Sequence, residues 1–91
     1  MSLIQLKKYG INLSGRALGI NTYLVIINNF KPPFELDLEG VISTGSSFAD
    51  EVVAKLAKLN GGTIRIINSN NIIKKCLNDV SEDKIFQIVF R

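Results

Sequence analysis

"PFELDLEGV", Pro33–Val41, is the stretch whose reading decides the fold. Phe34, Leu36 and Leu38 alternate with Glu35, Asp37 and Glu39. A period of two places the apolar side chains on one face of a strand and the acids on the other. "GTIRIINS" follows the same rule, with Ile64 and Ile66 facing one way and Thr63, Arg65 and Ile67 the other. "KIFQIVFR" sets Phe86, Ile88 and Phe90 against Ile85, Gln87, Val89 and Arg91. Near the start, "LIQLKKY" sets Ile4 and Leu6 against Gln5 and Lys7, and its lysines suit an edge strand.

Helical patterns lie between these strands. "SSFADEVVAKLAKLNGG" repeats Phe48, Val52, Leu56 and Leu59 at helical spacing, with Ala49 and Ala57 as small companions. It ends at Asn60-Gly61-Gly62, where a left-handed cap forms easily. "NNIIKKCLNDV" gathers Ile72, Ile73, Cys76, Leu77 and Val80 on one side, with Ser69 or Asn70 as cap. In "GRALGINTYLVIINNF" the β-branched run Val25–Ile27 suits a strand, while the segment's length and the Leu18/Thr22/Val25/Ile26 spacing favour a helix. Lys31-Pro32-Pro33 then imposes an extended connection.

With a short extended piece near Ile11–Leu13, the order is β, β, α, β, α, β, α, β. That alternation predicts an α/β domain with a mostly parallel sheet of four to five strands. Parallel sheets covered on both faces read as solid apolar runs, yet every strand here has a polar-leaning face. About three helices on one face, with the other face wet, resolve the conflict. Arg65 then sits across from Asp37 or Glu35. Ile67, Ile85 and Val89 are left as apolar positions on the wet face, a surface for self-association.

Composition narrows the function. Ninety-one residues fit one small domain, expected to occupy the whole of 1–91. The longest apolar run, Tyr23–Ile27, falls far short of the about 20 residues that span a bilayer. No basic-then-apolar leader opens the chain, and a lone Cys76 forms no internal disulfide, so a cytoplasmic protein is expected. The net charge of +3 is spread over scattered lysine pairs, unlike a concentrated nucleic-acid-binding face. There is no histidine, which removes most zinc sites and the Ser-His and Cys-His nucleophiles. Glu35, Asp37 and Glu39 read as solvated acids and Cys76 as a helix core position, so no enzyme, metal or cofactor is expected.

The hydroxyls of "GVISTGSSFADEVV", Gly40–Val53, ask for a reason. Ser47 with Asp50 three residues on fits a capping box, in which each side chain bonds the other's backbone N–H. Asp50 and Glu51 suit the positive end of the helix dipole. Ser43, Thr44 and Ser46 are surplus to one cap. They lie where a parallel strand hands over to a helix, the place α/β folds reserve for ligands or partners.

The block "ELDLEGVISTGSSFADEVVAKL" resembles the STAS-like domains, a bacterial family related to STAS and anti-sigma factor antagonist domains. The matching residues are Asp37, Gly40 and Val41, then Ser47, Phe48, Ala49, Asp50 and Glu51; "LSGRALG" resembles the family's segment before its first helix. The resemblance implies a singly wound β-α superhelix with helices on one side of the sheet, and a non-catalytic interaction module. In the antagonists a serine at the start of the equivalent helix is phosphorylated by a kinase-like ATPase partner, so the resemblance implies a histidine-kinase-type ATPase or an anti-sigma-like protein as partner. Carried across, Ser46 is the phosphoacceptor, and Ser43, Thr44, Ser46, Ser47, Asp50 and Glu51 are the partner-binding residues. The chain departs from that pattern at Gly45, where antagonists carry Asp, and at Phe48, where they carry Gly. A second reading, that of a domain binding a nucleotide or small anion at the Gly40/Gly45 loop, lacks the Gly-Lys-Ser/Thr ending of a phosphate loop.

Overall fold

The alternation around Leu36 becomes an inner strand of a parallel sheet. A computed structural model describes residues 1–91. Strand β1 (Ser2–Gln5) leads through a 3-10 turn (Leu6–Tyr9) to β2 (Asn12–Leu13) and helix α1 (Arg16–Asn29). Then follow β3 (Phe34–Asp37), β4 (Ser43–Thr44), α2 (Ser46–Glu51), α3 (Val53–Leu59), β5 (Thr63–Ile67), α4 (Asn71–Lys84) and β6 (Gln87–Phe90). The main sheet has the order β1-β3-β5-β6, parallel throughout, and β2 pairs with β4 in a separate parallel ladder.

Each crossover steps one place in the same direction across the sheet. Right-handed crossovers of that kind put every connecting helix on the same face. The side chains agree: Ile4, Leu36, Ile64 and Ile66 are buried beneath the helices, while Leu3, Gln5, Thr63, Arg65, Gln87 and Val89 are exposed on the other face. Glu35 and Arg65 are register partners, with Nε 3.5 Å from Oε2. At a wet surface such a pair contributes about 0.2–1 kcal/mol.

The uncertain segment is a helix, α1, but its buried stripe is Gly19, Thr22 and Ile26, and Val25 is exposed. Helix α4 starts on an Asn70 cap, whose Oδ1 accepts the Ile73 N–H at 2.8 Å. It buries Ile73, Leu77 and Val80 and leaves Ile72 exposed. Leu59 is also exposed, because α3 ends there and hands over to Asn60. The Asn60 side chain pairs with both backbone groups of Phe34, at 2.7 and 2.8 Å, and ties the helix end to β3.

Two expectations are corrected. The helix expected after Ser46 bends at Val52, although the ladder continues from Val52 N–H to Phe48 C=O and from Leu56 N–H to Val52 C=O. Ile85 is not a strand residue on the wet face. It closes α4 in the left-handed region, at φ 58°, and is 89% exposed. The Phe86 N–H returns to the Ser81 carbonyl and the Phe86 ring packs on the core, the apolar contact that accompanies a helix end of this kind.

Candidate functional site: a hydroxyl-rich surface at the strand ends

The candidate site is built on the two-residue ladder. Ile42 N–H donates to the Ile11 carbonyl at 2.7 Å, and Gly45 N–H to the Leu13 carbonyl at 2.7 Å. The Ser43 hydroxyl bonds the Asn12 side chain at 2.9 Å. A Cβ at position 45 would lie 3.1 Å from Ser14 Cβ, so a glycine lets β4 close on β2 and turn at once into α2.

That closure decides the helix start. Gly45 is the N-cap, in extended backbone, and no side chain caps the helix. The expected Ser47/Asp50 capping box is therefore not formed. Ser47 is already the second helical residue, and Asp50 turns toward Arg16, with Nη2 3.6 Å from Oδ2. Ser46 is exposed, Ser43, Thr44, Ser47 and Asp50 are half-buried, and the Thr44 hydroxyl is enclosed without a partner.

Glu51 has a different setting from the hydroxyls. Its side chain is 11% exposed and is held between Arg16, at 2.5 Å, and Lys55, at 2.6 Å. Lys55 in turn lies 5.3 Å from the centre of the Tyr23 ring. Glu51 thus fastens α1 to the α2–α3 unit. The bonds from Lys55 and then Arg16 hold its carboxyl below the ordinary 4.5, against the opposing effect of burial. A carboxyl lowered on folding stabilises the fold fully above its unfolded pKa, and the contribution is lost as the pH falls through the folded value. The expected result is that Glu51→Gln is less stable than wild type at neutral pH and that the gap closes on acidification. Urea midpoints for both chains from neutral pH to about pH 3 check it. A gap that stays constant over that range would mean that Glu51 acts by shape rather than charge.

The structure joins Ser43, Thr44, Ser46, Ser47 and Asp50 on one segment, and sets beside them Ser14, Gly15 and Arg16, which sequence reading did not assign to the site. The only sequence signal for these was their place in "LSGRALG". The space at Gly40 is taken by the Lys7 stem, whose Cδ is 2.7 Å from where a Cβ would stand, and Gly45 packs on Ser14. A separate cleft of about 490 Å³ opens beside Glu51, lined among others by Arg16, Lys55, Lys58, Gly61 and Lys84.

A four-stranded parallel sheet wound in one direction, with helices on one face and the strand-end loops gathered together, defines a singly wound α/β domain. Residues 23–74 match the family described as "STAS-like domain of unknown function (DUF4325)". The chain belongs to that family. No curated protein and no solved structure shows significant similarity to it. No helix is long and apolar enough to cross a membrane.

Proposed function

We propose that the chain is a non-enzymatic, cytoplasmic regulatory module that docks a protein partner, of the histidine-kinase-type ATPase class, through Ser43–Glu51. Ser46 is its candidate phosphoacceptor. The observation that carries this reading is the uncapped start of α2: neither Ser46 nor Ser47 supplies a cap bond, so these hydroxyls are not spent on starting the helix. Ser46 is exposed there, and Ser43 and Ser47 are partly accessible.

The test recovers proteins bound to the tagged chain from its native host, with mass spectrometry of the 40–55 segment in the same samples. Phosphate on Ser46, together with a partner that Ser46→Glu weakens at least about tenfold, is the expected result. A partner indifferent to Ser46→Glu and Ser47→Ala sinks the assignment of this surface.

The second reading, a nucleotide or small-anion site, moves from the glycine loop to the cleft beside Glu51. Arg16 and Lys55 are taken up there by Glu51 and Lys84 lies 3.8 Å from Asp83, which leaves Lys58 to meet an anion. Thermal shifts with a nucleotide panel, abolished by Lys58→Glu, would favour it over partner docking.

A further inference from the structure

We propose that Ile11, Ile42 and Ile72 form the apolar anchor of a docking surface, and that its occupant is a protein segment presenting an apolar side chain flanked by carboxylates. The inference rests on the interaction-module reading and names what the partner offers.

Ile11 and Ile42 lie on the connections that follow β1 and β3, and Ile72 is in the first turn of α4, which follows β5. They are 45%, 55% and 68% exposed. A single exposed isoleucine needs no explanation, but three on joined segments do. The joints are hydrogen bonds. Ile42 N–H donates to the Ile11 carbonyl at 2.7 Å, and the Asn70 side-chain amide donates to the Ile42 carbonyl at 2.9 Å. Asn70 is itself fixed as the cap of α4, two residues before Ile72. The positions are held by the fold, while burial in the core explains none of the three side chains.

The surrounding charge selects the occupant. Lys7 lies along Gly40, two residues before Ile42, and Lys8 is exposed beside it. Lys75 stands three residues after Ile72 and shares its helix face. Lys74 is turned away, 5.9 Å from the Phe90 ring centre. Two acids face three lysines: the exposed Glu39, and Asp37, which is buried with its Oδ1 accepting from Glu39 N–H and the Asn68 side chain. An excess of cations around an apolar centre complements carboxylates around an apolar side chain. Stiff β-branched anchors suit a shaped protein partner, whereas membrane-surface segments rely on Trp and other large rings, and this chain has no Trp.

The test selects random linear peptides displayed on phage against the intact chain. Enriched peptides are then synthesised and titrated against wild type, Ile42→Lys, Ile72→Lys and Ser46→Glu. The expected consensus is a large apolar residue with flanking Asp or Glu. Each Ile→Lys change should weaken binding at least about tenfold with an unchanged thermal melt, and Ser46→Glu should not weaken it. Peptides indifferent to both Ile→Lys changes but lost on Ser46→Glu would overturn the patch and leave the interaction-module reading standing. If nothing enriches, the patch is overturned, and the host-partner experiment decides the module reading alone. A concentration-dependent dimer abolished by Ile42→Lys would give the patch to a second copy and overturn the proposal. So would binding to phosphatidylcholine–phosphatidylserine vesicles lost on the same change.

Discussion

Phe48→Ala is expected to lower the stability of the chain by about 3–5 kcal/mol. The side chain is fully buried, on α2 where it packs against α1 and α4, and it is the largest of the fully buried side chains. Truncation loses the transfer free energy of the ring and leaves a cavity that the packed core around it closes only in part. Against the roughly 5–15 kcal/mol of a typical domain, and with only 91 residues to build a core, that loss removes much of the margin. Urea unfolding followed by circular dichroism gives the number. A loss below about 1 kcal/mol would mean that α2 does not pack through Phe48. The residue also aims the candidate surface: with Phe48 and Ala49 pointing inward, Ser46 is left in solvent.

Gly19→Val should destabilise by about 1–3 kcal/mol, through overpacking rather than through a cavity. Gly19 is buried where α1 crosses α2. A Cβ there would stand 2.8 Å from Glu51 Cβ and 3.2 Å from both Cα and the carbonyl oxygen of Phe48. Two of those three atoms are backbone, so a rotamer change cannot relieve the contact. Valine is a better helix former than glycine, but by less than about 1 kcal/mol, too little to offset the clash. The helices must separate, which also pulls Arg16 from Glu51. Thermal unfolding should show the lowered midpoint, and near-ultraviolet circular dichroism the altered packing of Tyr23. An unchanged midpoint would mean that α1 and α2 do not pack through Gly19.

The two predictions fall on residues that were unequally legible. Phe48 stood out as one member of a helical stripe with Val52 and Leu56, and the three are buried together. Gly19 carried no signal, because a close approach between helices depends on the partner backbone and not on the residues beside it in the chain. The same division runs through the candidate site. The surplus of hydroxyls was visible in "ISTGSS", but the capping box read into Ser47 and Asp50 was not formed, since the β2–β4 ladder holds Gly45 as the cap. Glu51 read as a dipole partner in a first turn. It became the clamp between α1 and α3 once Arg16, thirty-five residues away, was brought to it.

The alternating strands, the helices between them, the open face of the sheet and hence the class of fold were all legible in the residue order. Each of those follows from a period of apolar side chains measured against a single core, a property local to each segment. Where α2 begins, what Glu51 holds, and the joining of the segments that carry Ile11, Ile42 and Ile72 came only with the folded chain. These depend on contacts between residues far apart in the chain, which no local period encodes.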